Sequence, residues 1–81
     1  MHPPHSTQMM CKVYIFSFGV GQAFAGKYVE LYGTENEARA EMFRLFGDKW
    51  SMQYTQEQGL KLADEYGWEP LSVSSPLYRS L

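Results

Sequence analysis

The stretch CKVYIFSF, residues 11–18, constrains the fold more than any other, because both of its parities are apolar. Cys11, Val13 and Ile15 make one set; Tyr14, Phe16 and Phe18 make the other. Successive side chains of a strand point to opposite faces, so such a run suits a strand covered on both sides and placed inside a sheet. A chain of 81 residues can build one domain around that strand and has no length for a second. Its 44% hydrophobic and 20% charged content fits a globular chain rather than a disordered one.

The segment KYVELYG, residues 27–33, alternates Val29 and Leu31 against Tyr28, Glu30 and Tyr32, the period of a second strand. TENEARAEMFRLFG then opens with Thr34 and Glu37 at the spacing of a capping box and ends at Gly47, which marks a helix. Ala38, Met42, Leu45 and Phe46 form its sheet-facing stripe, and Phe43 lies off it. KWSMQYT reads as a third strand with Trp50, Met52 and Tyr54 on its drier face. Thr55 and Gln58 repeat the capping spacing ahead of QEQGLKLADEYG, a second helix with Leu60, Leu62, Ala63 and Tyr66 on one broad side, weakened by Gly59 and closed by Gly67. WEPLSV supplies a short last strand that Pro70 confines to an edge.

The expected architecture is therefore a single small α+β domain over residues 11–73, in the order β-β-α-β-α(-β), with a mixed sheet. Residues 1–10 are expected to be a flexible leader and residues 74–81 a tail. Right-handed crossovers that move in one direction would place both helices on one face of the sheet and leave the other bare.

The glycine-rich stretch GVGQAFAGKY, residues 19–28, raises phosphate binding only to argue against it. Phe24 stands where a dinucleotide loop has its third glycine, and Tyr28 stands where a Walker loop has its hydroxyl residue. A strand pattern follows instead of the helix whose free amides would hold the anion, so the stretch reads as a turn with an aromatic anchor, Phe24, at its tip. Both histidines, His2 and His5, fall in the leader, away from any site for acid and base work. Cys11 at a strand start reads as a small buried hydrophobe, and the carboxylates Glu35, Glu37, Glu41, Glu57, Asp64 and Glu65 as solvated helix faces. No spacing suggests a metal, and no cofactor is expected.

The net charge of −2 disfavours nucleic acid, whose affinity depends on cationic contacts to phosphates. No apolar run is long enough to cross a membrane, and one cysteine cannot form an internal disulfide, so a cytoplasmic location is expected. What remains is an aromatic content of 16% without attendant chemistry. Phe24, Tyr28, Tyr32 and Phe43 are the candidate partner-binding residues, with a protein or a second copy of the chain as partner. The alternative is a single-stranded nucleic-acid binder that stacks bases on the tyrosines of an open sheet face.

The strings VYIFSFG, GKYVELYGTENEARAEMFRLFG and KWSMQYT, within about residues 11–67, resemble small accessory proteins encoded by phages and prophages of Gram-positive bacteria. The shared features are the Phe18-Gly19 pair, Ala38 with Met42-Phe43, Phe46-Gly47, and Trp50 through Tyr54. The resemblance implies a non-enzymatic role in the encounter between phage and host. On this expectation the chain binds a host protein stoichiometrically, a defence component such as a CRISPR effector included, and inhibits or modulates it.

Overall fold

The computed structural model describes residues 10–79, so the expected leader lies outside the described residues except for Met10. Strand β1 (Lys12–Ser17) pairs antiparallel with β2 (Lys27–Gly33), from Lys12 opposite Gly33 to Ser17 opposite Tyr28. Strand β3 (Gln53–Thr55) pairs antiparallel with the other edge of β1, and β4 (Glu69–Pro70) lies parallel to β2. The result is a mixed sheet in the order β3-β1-β2-β4. Helix α1 (Glu35–Phe46) joins β2 to β3, and α2 (Gln56–Tyr66) joins β3 to β4, so the α+β class and element order are as expected.

Both helices start where their caps predict. The Glu37 amide donates to Thr34 Oγ1 at 3.1 Å while the Thr34 amide donates to Glu37 Oε1 at 3.0 Å, which satisfies two free amides reciprocally. At α2 the Gln58 amide donates to Thr55 Oγ1 at 3.3 Å, and the helix leaves β3 with no intervening loop.

Phe16, Val29 and Leu31 pack on one face of the sheet with Phe18, Trp50, and Ala38 and Met42 of α1. Ile15, next to Phe16 in the strand, points the other way. There Gly59 of α2 comes so close that a Cβ added to it would stand 2.2 Å from the Ile15 Cβ. The helices thus lie on opposite faces, which corrects the expectation that they share one. The strand order explains the difference: the crossover from β2 to β3 passes β1 in one direction, and the crossover from β3 to β4 returns past β1 and β2 in the other. Right-handed connections running in opposite directions must use opposite faces. The contact face of α2 also differs from the leucine-rich side, because buried Gly59 and Ala63 let the helix close on the sheet while Tyr66 is exposed.

Two further departures follow from backbone pairing. Ser17 donates to Met52 O at 3.0 Å and accepts from the Ser51 amide at 2.8 Å, so two residues oppose one, as at a β-bulge. The extra residue resets the alternation. Trp50 therefore packs edge-on against Phe16 on the α1 face, at 5.3 Å between ring centroids, while Tyr54 sits opposite Ile15 on the α2 face and Met52 is exposed.

The segment expected as a tail is built into the sheet edge through residue 79. The Tyr32 amide donates to Leu77 O at 2.7 Å, the Arg79 amide donates to Glu30 O at 3.1 Å, and Leu77 and Tyr78 pack against the core. Glu41 of α1 holds this segment by accepting from the Ser75 hydroxyl, and the Arg44 guanidinium, followed by that hydroxyl, pulls the Glu41 carboxyl down to about 2. The outer edge of β2 is thus covered by β4 over its first half and by residues 77–79 over its second.

Two variants test this packing. Alanine outperforms glycine by about 1 kcal/mol in an open helix interior, yet Gly59→Ala is expected to destabilise the fold by about 1–3 kcal/mol through overpacking on Ile15. Urea denaturation reads the difference, and a stabilised variant would mean that α2 stands off the sheet. Truncation after Val73 is expected to cost about 2 kcal/mol or more, since two backbone hydrogen bonds and the Leu77 and Tyr78 packing are lost. A thermal melt unchanged by that truncation would show the segment to be dispensable.

Candidate interaction surface

The loop from Gly19 to Gly26 is a chain of turns. The Gln22 amide donates to Gly19 O at 3.0 Å, Ala25 to Gln22 O at 3.1 Å and Lys27 to Phe24 O at 3.0 Å. Gly21 and Gly26 adopt φ of 92° and 87°, a region that side chains oppose. Strand β2 begins directly after Gly26, so the loop presents no helix start to an anion. Phe24 folds back edge-on against Phe18 and Phe46, with centroids 5.6 Å away in each case, and stays 39% exposed. Val20, in the same loop, stands fully exposed.

A second ring group adjoins the first. Phe43 of α1 meets Trp50 edge-on at 5.2 Å, and Trp50 in turn meets Phe16, two residues before Phe18 on the same strand face. Phe43 remains 47% exposed and Met52 51% exposed. The Arg39 guanidinium lies 5.7 Å from the Phe43 ring centre and 5.4 Å from that of Trp50, within cation–π range of both. Glu35 stands one helical turn before Arg39, a spacing suited to an ion pair, yet no ion pair joins them. Trp50 is buried, and its Nε1 finds no acceptor among the described residues.

The four expected binding residues therefore divide. Phe24 and Phe43 both lie on the α1 face, Phe24 against Phe18 and Phe46 and Phe43 against Trp50. Tyr28 and Tyr32, of opposite parity to Val29, belong to the α2 face. Tyr28 is half-buried in a cleft of about 340 Å³ with Leu60, Ala63 and Trp68, and its phenol is pushed up by burial, then by Glu30 and Tyr78. Tyr32, at the far end of β2, lies under the Arg79 guanidinium at 4.4 Å. A single surface carrying all four is thus corrected: the two phenylalanines lie on the α1 face, with Arg39 beside Phe43, and the two tyrosines on the other. Arg39 and Phe43 were legible as an i, i+4 pair on the helix; the turn of Trp50 toward them was not, because it follows from the bulge.

Between the two tyrosines sits Glu30, only 7% exposed, with Oε2 lacking any partner among the described residues. Burial pushes its carboxyl up, and a hydrogen bond from Gln56 offsets part of that. Cys11, expected to be buried, is exposed. Among the described residues no group of three His, Cys, Asp or Glu side chains is placed to hold a metal, and no helix is long and apolar enough to cross a membrane. Comparison of the chain with protein-family models, curated proteins and solved structures finds no match.

The Glu30 environment sets a pH dependence. The folded state binds this proton more tightly than the unfolded chain does, so the stability from protonated Glu30 is fully present below the ordinary value of 4.5 and is lost as pH rises through the raised one. Glu30→Gln is expected to be more stable than the parent at pH 7, with the gap closing toward pH 4. Guanidinium titrations of both proteins across that range check it, and a gap of the opposite sign would refute the assignment.

Proposed function

We propose that the chain is a non-enzymatic binding protein that grips a host protein through the apolar end of the α1 face and so inhibits or modulates it. The observation that carries this reading is the pair of partly exposed phenylalanines, Phe24 and Phe43, that rest on the ring cluster of the α1 face. Apolar groups of this kind rimmed by polar residues mark interaction sites, and aromatic anchors supply most of the energy of protein interfaces. The resemblance of residues 11–67 to small phage-encoded proteins supplies the kind of partner, a bacterial host protein in the cytoplasm, defence components included. The rival reading, single-stranded nucleic acid on the tyrosines, loses its platform, since α2 stands over the face that Tyr28 and Glu30 occupy.

Replacing Phe43 or Phe24 with a photo-crosslinking phenylalanine analogue in host lysate is expected to give one discrete adduct common to both positions. The same analogue at exposed Lys61 on α2 is expected to give none. Phe43→Ser should weaken the captured complex by roughly tenfold or more, the loss typical of an interface anchor. Equal labelling at Lys61, or no adduct from either phenylalanine position, would refute the proposal.

A further inference from the structure

Independently of any partner on the α1 face, we infer that α2 is a pH-operated latch, docked on the sheet while the Glu30 carboxyl carries its proton and lifting as a unit more readily once that proton is lost. Glu30 lies opposite Ile15 in the pairing of β1 with β2, so the two share the face that α2 covers. Gly59 rests on Ile15, and Gln56, the first residue of α2, reaches the Glu30 carboxyl. Glu30 is only 7% exposed, and its Oε2 has no hydrogen-bond partner among the described residues. Its titratable neighbours on β2 are Tyr28 and Tyr32; β1 presents Val13, Ile15 and Ser17 to this face, and β3 presents Tyr54. The Arg79 amide donates to Glu30 O at 3.1 Å, but the Arg79 guanidinium lies on the Tyr32 ring at 4.4 Å and forms no ion pair. Tyr78 shares a hydrogen bond with Ser72, and Glu69 of β4 is taken by Lys27. The charged residue that α2 brings to the neighbouring Tyr28 cleft is Asp64, of the same sign as an ionised Glu30. No cation is paired with Glu30 among the described residues.

A neutral carboxyl tolerates such a place far better than a carboxylate does, because an unpaired charge held away from water is the costlier of the two. Burial accordingly pushes the Glu30 carboxyl up, so the docked helix holds this proton more tightly than an open one would. Docking is strongest below the ordinary value of 4.5, weakens as pH rises through the raised one, and levels off above it. The element that yields is α2. The buried apolar residues of its layer are Ile15 and Ala63, whereas α1 rests on the continuous cluster that includes Phe16, Leu31 and Trp50. Its tethers are also short, three residues of β3 before it and two of β4 after it. Lifting α2 admits water to Glu30 and Tyr28 and leaves Phe24 and Phe43 in place on the other face.

The test is amide hydrogen exchange of the full chain, followed by NMR from about pH 4 to about pH 8 in guanidinium too dilute to unfold it, and corrected for the intrinsic chemistry of exchange. The α2 amides are expected to exchange faster than those of α1 and with weaker dependence on denaturant, the mark of a local opening. That opening should become more frequent as pH rises, by at most about tenfold per pH unit, the limit for one proton. In Glu30→Gln, α2 should still open locally, but with a frequency that no longer changes with pH. Exchange of α2 and α1 together, with one dependence on denaturant, would show that α2 has no separate motion and would overturn the inference. So would a local α2 opening without a pH slope, since Glu30 would then stay covered when the helix lifts. Both of these outcomes are read on the parent protein and do not require the variant to fold. A slope that survives in Glu30→Gln would assign the proton to another group and overturn the inference as well.

Discussion

Ile15 and Phe16 are consecutive in β1, both fully buried, and they face different layers of the molecule. A strand of that kind needs a cover on each side, and a chain of 81 residues has one helix for each. The rest of the topology accommodates this requirement. The crossover through α1 carries the chain to the outer side of β1, and the crossover through α2 must return over the opposite face to reach β2. Gly59 then becomes intelligible as a close-approach residue, since a side chain there would occupy the space of Ile15.

The two layers are unequal. Under α1 lie Phe16, Phe18, Val29, Leu31, Ala38, Met42 and Trp50 in one cluster. Under α2 the buried apolar residues are Ile15 and Ala63, and they share the face with Glu30, whose carboxyl has an orphaned oxygen. Buried polar atoms without partners cost free energy, whereas the α1 layer gains from continuous apolar burial. The α2 layer is accordingly the less stable of the two, and local opening of the domain should begin there rather than at α1. That ordering suits a binding surface on the α1 side, because the rings that would meet a partner rest on the firmer half of the fold.

Much of the local structure was legible in the sequence. Thr34 with Glu37 and Thr55 with Gln58 set the helix starts, Gly47 and Gly67 the ends, and the two-residue period of Val29 and Leu31 marked β2. The double apolar parity of β1 even announced that both faces would be covered. The direction of the second crossover was not legible, because a short strand limited by Pro70 can pair at either edge. Nor did any local signal show that Ser17 would oppose both Ser51 and Met52, the step that sends Trp50 to the α1 face. The edge pairing of Leu77 and Arg79 with β2 was hidden for a similar reason, since neither residue sits in a period. At the candidate surface, Phe43 stood out as an aromatic off the helix stripe, while the tyrosines misled because their face was expected to be open.

Arg39 draws these features together. A small domain has little stability to spare, and solvent-facing rings on it invite self-association. A guanidinium laid over Phe43 and Trp50 covers part of that apolar area in the free protein without requiring a further core residue. One side chain thus shields the rings in the free protein. Lysine would cover them less well, since a flat guanidinium packs more readily against aromatic rings than an ammonium does.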